Sequence, residues 1–218
     1  MAAENIQVKI CGLRSADAAI VASDAGASHL GFNFIEGVRR QIQPEDGEQI
    51  IADYRSGIKT LNRPNLVGLF RDQDPEFVNE TARNSGLDSL QLCGSEDADY
   101  ISKIELPIIK MIFVKEDSTQ SGLTKIIDPL LDAGHGIILD SGVKSAQGGS
   151  GTSFDWATAE GIVDRQDVFL AGGLNPENVQ AAIKQLSPWG VDVASGVETD
   201  GVKDPDRIRA FINAARSA

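Results

Sequence analysis

The chain has 218 residues, 41% hydrophobic and 24% charged, with a formal net charge of −12 at pH 7. That size and balance suit one globular core, and no run of eighteen apolar residues offers a membrane helix. The acidity excludes nucleic acid as the main partner, because binding a phosphate backbone needs a basic face. A small anionic ligand stays compatible, since backbone N–H groups and helix starts hold phosphate whatever the overall charge.

Met1-Ala2-Ala3-Glu4-Asn5 lacks the basic start and apolar stretch of an export signal, so the cytoplasm is the expected compartment. A reducing compartment argues against a bridge between Cys11 and Cys93, the two cysteines of the chain. No Cys-x-x-Cys or His/Cys cluster occurs, and His29 and His135 are distant in sequence, so no metal site is expected.

In chain order, strands are predicted over Ile6 to Cys11, His29 to Phe34, Leu66 to Phe70, Ser89 to Leu92, Pro107 to Val114, Gly136 to Asp140, Val168 to Ala171 and Gly190 to Val193. Amphipathic stretches separate them. Each opens on a capping residue, as with Ser15 before "ADAAIVASDAG", Asp74-Pro75 before "EFVNETARN" and Asn175-Pro176 before "ENVQAAIKQL". Eight strands, each followed by one helix, predict an α/β fold: a single (βα)8 TIM barrel with a parallel eight-stranded sheet, forming one domain over 1–218.

In such a barrel the loops after the strands form the functional face. Glycines gather there. Three loops stand out: "QGGSGTSFDW" from Gln147, "AGGLNPENV" from Ala171 and "ASGVETDG" from Ala194. The last two follow strands seven and eight, where barrels hold a ligand phosphate on exposed N–H groups. Gly149, Gly172, Gly173, Ser195 and Gly196 are therefore the candidate phosphate-binding residues, and the expected partner is a small phosphorylated molecule.

Taken together, "VKICGL" at Val8, "GFNF" at Gly31, "VGLF" at Val67, "LQLCG" at Leu90, "LDS" at Leu139, "GGSGTSFDW" at Gly148, "GGLNPENV" at Gly172 and "VDVASGVE" at Val191 resemble the phosphoribosylanthranilate isomerase family of tryptophan biosynthesis. The resemblance spans nearly the whole chain in order. It implies an intramolecular, aldose-ketose type isomerase that carries out the Amadori rearrangement of N-(5-phosphoribosyl)anthranilate to 1-(2-carboxyphenylamino)-1-deoxyribulose 5-phosphate, without metal or organic cofactor. It further implies Cys11 as general base, Asp140 as general acid and Arg40, with Arg39 beside it, as the holder of the anthranilate carboxylate. The chain departs from the family at Ile35-Glu36-Gly37-Val38, at Gln41 and at Cys93, where relatives carry a histidine.

The opposed needs of an acid and a base frame the chemistry. A cysteine base acts as thiolate, which nearby positive charge favours, and Lys9 has the strand parity to point inward with Cys11. An Asp140 acid must instead be held protonated by desolvation or by the substrate's anions. Lys9 and Asp192 lie on strands that adjoin where the barrel closes and are expected to pair across that seam, while Cys93, His29 and His135 read as structural. Two other readings compete. Indole-glycerol phosphate synthases and histidine-pathway sugar isomerases use lysine/glutamate or paired aspartates at these strand ends, unlike Cys11 with Asp140. A non-catalytic or diverged barrel binding another sugar phosphate would not need the Cys11, Arg40 and Asp140 set.

Overall fold

The computed structural model describes residues 6–59, 63–140 and 156–218. Eight parallel strands close into a barrel in sequence order: β1 (Gln7–Leu13), β2 (His29–Asn33), β3 (Asn65–Phe70), β4 (Ser89–Leu92), β5 (Ile108–Phe113), β6 (Gly136–Asp140), β7 (Val168–Ala171) and β8 (Gly190–Val193). β1 pairs with both β2 and β8, which removes every open edge from the sheet. The predicted strands are all present, with ends within two residues of those expected.

Helices α1 (Ala16–Asp24), α2 (Pro44–Gly57), α3 (Pro75–Ser85), α4 (Ala98–Ile101), α5 (Gln120–Asp132), α6 (Val179–Leu186) and α7 (Pro205–Arg216) surround the sheet. Local chemistry starts them. Ser15 accepts from the Ala18 N–H, Asp74 from Glu76, Thr119 from Gly122, and Asp204 from Asp206 and Arg207, so orphan donors of the first turn are satisfied. Pro44, Pro75 and Pro205 sit in first turns, where a missing N–H costs nothing.

Two of the connections carry little helix among the described residues. After β6, the described residues show a 3-10 turn, Trp156–Ala159, and no α-helix before β7. After β4, α4 is only one turn long, because the chain before it is committed elsewhere. There Glu96 accepts from the N–H groups of Asp72 and Gly94 and pairs with Lys110, which fixes that loop against β5. The Asn175 cap also acts differently. Its side chain accepts from the Glu177 and Asn178 N–H groups, closing a separate turn, and α6 begins only at Val179.

Strand parity divides the core into two layers. Ile10, Leu30, Leu90, Ile137, Leu139, Leu170 and Val191 face outward and pack with the helices. Val67, Leu69, Ile109, Ile138 and Phe169 face inward with Cys11, Cys93 and Ala171. Lys9 breaks the apolar interior. It is fully buried, and its Nζ donates to Asp192 Oδ1 at 2.8 Å across the β1–β8 seam, the pairing that strand parity predicts. Burial, the largest single influence, pulls the Lys9 ammonium toward neutrality, but the charges and hydrogen bonds of Asp192 and Cys11 together outweigh it and hold the lysine above its ordinary pKa.

Candidate active site

The first chemical feature is a defect in β1. Ile10 pairs with Leu30 and Leu13 with Phe32, so three steps on β1 oppose two on β2, and the extra residue lies at Cys11-Gly12. Gly12 takes φ +75°, a conformation open to glycine, and such bulges re-aim a side chain at a strand end. A Cβ on Gly12 would also overlap Arg40 Cδ, so the arginine stem lies directly over this turn. From the neighbouring strand, Gly31 makes the complementary space: a Cβ there would come within 3.2 Å of Cys11 Sγ.

Cys11 is a free, buried thiol. Burial is the largest influence and pushes its pKa up, beyond what the positive charges of Lys9 and Lys203 restore. Positive charge from Lys9 was expected to favour the thiolate; desolvation wins because the thiol is enclosed and Lys9 is already paired with Asp192. Asp140 is the last residue of β6, in register with Phe113 and Ala171, and its carbonyl accepts from the Val114 N–H. Both side chains therefore belong to the C-terminal rim of the barrel.

Arg40 joins them from the loop between β2 and α2. Its Nε donates to Glu198 Oε1 at 2.6 Å and its Nη2 to Glu198 Oε2 at 3.0 Å, with the side chain 22% exposed. Arg39 reaches Glu198 Oε2 at 2.5 Å but is 54% exposed, on the outer side. Lys203 completes the cluster, donating to Ala194 O at 2.6 Å and to Glu198 Oε1 at 3.1 Å. Burial alone would raise the Glu198 pKa, yet Arg40, Lys203 and Arg39 together bring it down to about 2.

The loops after β7 and β8 touch. Gly172 and Gly173 adopt φ of +94° and +69°, and a Cβ on Gly196 would overlap Leu174 O. Asn178 clamps the first loop, donating from Nδ2 to Gly173 O at 3.0 Å while its Oδ1 accepts from the Asn175 N–H at 2.8 Å. Gly196 O accepts from Arg207 Nε at 3.1 Å. Both glycine carbonyls are thus engaged from the helix side, and among the described residues the N–H groups of Gly173, Ser195 and Gly196 donate to no protein oxygen. The turn Ser195–Val197 is a short 3-10 helix at the end of β8.

Residues 8–214 match the family described as N-(5'phosphoribosyl)anthranilate (PRA) isomerase. The chain belongs to that family. It is 42% identical over 217 residues to the N-(5'-phosphoribosyl)anthranilate isomerase of Dehalococcoides mccartyi, covering 98% of this chain and 97% of that protein. The crystal structure of phosphoribosyl anthranilate isomerase from Thermotoga maritima superposes with a TM-score of 0.82 at 34% identity, covering 98% of this chain and all of the other. A further phosphoribosyl anthranilate isomerase structure, at TM-score 0.79 and 32% identity over 98% of this chain and all of the other, was solved in complex with reduced 1-(o-carboxyphenylamino)-1-deoxyribulose 5-phosphate.

In this member of the phosphoribosylanthranilate isomerase family, Cys11, Arg40, Asp140, Gly172, Gly173, Ser195 and Gly196 share the C-terminal rim. Gly149, the other candidate, lies outside the described residues. Sequence reading missed Glu198 and Lys203. Glu198 ends the quoted "VDVASGVE" motif, so its identity was visible, but nothing in the spacing tells that two arginines 158 and 159 positions away converge on it. His29 also has partners that its sequence context did not reveal: Ser28 Oγ at 2.9 Å from Nδ1, and the Phe169 ring at 5.0 Å edge-on. Among the described residues no group of three or more His, Cys, Asp and Glu side chains could hold a metal ion, and no helix is long and apolar enough to cross a membrane.

Proposed function

We propose that this chain isomerises N-(5-phosphoribosyl)anthranilate to 1-(2-carboxyphenylamino)-1-deoxyribulose 5-phosphate by an Amadori rearrangement, an aldose-ketose type conversion within one molecule. The observation that carries the reading is a thiol and a carboxyl at the ends of β1 and β6, in a chain that belongs throughout its length to this family. Asp140 donates a proton to the furanose ring oxygen while the anthranilate nitrogen lone pair forms a C1′=N bond and the C1′–O bond breaks. Cys11, held as a thiol in the free protein, must first give up its own proton; as thiolate it then removes the C2′ proton, the C2′–H electron pair forms the C1′=C2′ bond, and the C1′=N pair moves onto the nitrogen and neutralises it. The resulting enolamine loses its hydroxyl proton and gains one at C1′, so C2′ is oxidised to the ketone as C1′ is reduced. The residues named need no metal or organic cofactor for these transfers.

Binding follows the same geography. We assign the phosphate to the N–H groups of Gly173, Ser195 and Gly196, with Gly172 permitting the turn and Gly149 contributing from the loop after β6. That these N–H groups find no acceptor among the described residues supports this. Arg40, above Cys11-Gly12, is assigned the anthranilate carboxylate in preference to the outer Arg39. The reaction is placed in the cytoplasm, and its partner is the phosphorylated small molecule.

A coupled assay tests this. An anthranilate phosphoribosyltransferase generates the substrate in situ, and turnover is read as loss of the substrate's fluorescence. Wild-type protein should turn over. Cys11→Ser and Asp140→Asn should each lower kcat by at least about 10²-fold, the scale of general acid–base catalysis, with KM within a few-fold. Wild-type protein without turnover overturns the assignment, and near-normal kcat in either variant removes that residue from the mechanism.

A further inference from the structure

Glu198 transfers no proton in the proposed reaction, yet its carboxylate gathers three cations at the rim. Three cations from two loops meet it: Arg40 through Nε and Nη2, Arg39 through Nη2, and Lys203 through Nζ. Its side chain is almost fully enclosed. A guanidinium is a planar fork with two edges that can each hold a carboxylate by two parallel bonds, one formed by Nε with Nη2 and the other by the two Nη ends. Glu198 occupies the first edge of Arg40. Among the described residues, Nη1 of Arg40 donates to nothing, so the second edge is open.

The stem is held as firmly as the fork. It packs over Gly12, at the bulge that carries Cys11, so the open edge has a defined place relative to the thiol. Charge permits a second anion there. Arg40 with Glu198 alone would be neutral, and an incoming carboxylate would meet the repulsion of Glu198. Arg39 and Lys203 add two positive charges to the cluster, so the site stays cationic after the substrate carboxylate arrives.

We propose that Glu198 is a positioning residue for the carboxylate end of the substrate. It grips Arg40 by its Nε edge and leaves the opposite edge preset to receive the anthranilate carboxylate, while Arg39 and Lys203 supply the charge that lets two carboxylates share one guanidinium. This rests on the proposed function. The gain is preorganisation: an arginine held in its binding geometry loses little side-chain freedom when the ligand arrives.

The coupled assay on wild type, Glu198→Gln, Arg40→Lys and the double variant tests it, with inorganic phosphate inhibition as an internal control. Glu198→Gln should raise KM by about 10-fold or more, with kcat within three-fold and the phosphate inhibition constant unchanged. In the Arg40→Lys background the same change should raise KM by less than about three-fold, because the residue it orients is gone. An unchanged or lowered KM, additive effects in the double variant, or a parallel loss of phosphate affinity overturns the proposal. A second measurement does not depend on the variants folding. In wild-type protein the Arg40 Nε–H nitrogen resonance should exchange slowly with solvent, and should remain protected with reduced 1-(o-carboxyphenylamino)-1-deoxyribulose 5-phosphate bound. Loss of protection on binding means Glu198 is displaced and the proposal fails. Absence of both binding and turnover by wild type instead overturns the functional reading itself.

Discussion

Cys11 and His29 show how enclosure governs single residues. In the free protein, burial holds Cys11 as a thiol above its ordinary value near 9.0. The thiolate absorbance at 240 nm that Cys11→Ser removes should therefore appear only above pH 9; its appearance at neutral pH would mean that Lys9 and Lys203 dominate instead. His29 is held neutral, its pKa lowered from 6.5 to about 4 by burial and then by the Lys9 charge. The unfolded chain takes up a proton near pH 6.5 while the folded one does not, so stability present above that pH is lost as pH falls toward 4. The loss reaches about 3 kcal/mol at most and about 2 kcal/mol by pH 5, above the window in which Glu198 titrates. Urea midpoints at pH 7 and pH 5 should differ much less in His29→Gln than in wild type, and equal acid sensitivity in both would place the titrating group elsewhere.

Among the connecting elements, the loops after β7 and β8 work as one unit because they share a contact that leaves no room for a side chain. Gly196→Ala would force its Cβ into Leu174 O, a backbone atom that cannot swing aside, so the two loops must separate. Overpacking of this kind costs about 1–3 kcal/mol, and phosphate inhibition should weaken with it. Gly173→Ala offers a contrast. Space around it is open, and only its φ of +69° resists a side chain, so the cost should be about 1–2 kcal/mol without separation of the loops. Urea denaturation with phosphate inhibition constants distinguishes the two, and equal phosphate affinity in Gly196→Ala and wild type would remove that loop from anion binding. Much of this architecture was legible as loops after strands, since Gly172-Gly173 and Ser195-Gly196 follow short apolar runs. Their mutual contact was not, because it depends on how Leu174 and Gly196, far apart in the chain, are brought side by side by β7 and β8.

For the whole barrel, closure places a charged pair inside an apolar interior. Lys9 and Asp192 meet only because β1 returns to β8, and both are buried there. Lys9→Met should cost about 3–5 kcal/mol by stranding the Asp192 charge, whereas the double change Lys9→Met with Asp192→Leu should recover most of that loss. Thermal or urea unfolding of the two variants decides the point; a single variant as stable as wild type would show that Asp192 finds water in the barrel.

The strand runs, their alternation with helix-forming segments and the motif order were enough to specify the barrel, its parallel closure and its family, because period-two burial and turn chemistry are local properties of the chain. Cys11 and Asp140 could be placed near the ends of their strands, and Arg40 in the loop after β2, for the same reason. Tertiary structure alone decided the environment of each. The bulge at Cys11-Gly12 exists because β1 must register with β2 while opening toward the rim, and the net effect on the thiol depends on how completely neighbouring strands exclude water. Glu198 became the hub of Arg39, Arg40 and Lys203 only when the β8 loop and the β2 loop were folded against each other. Electrostatic fields and desolvation act through space, and distances through space between residues far apart in the chain are set by the closed barrel.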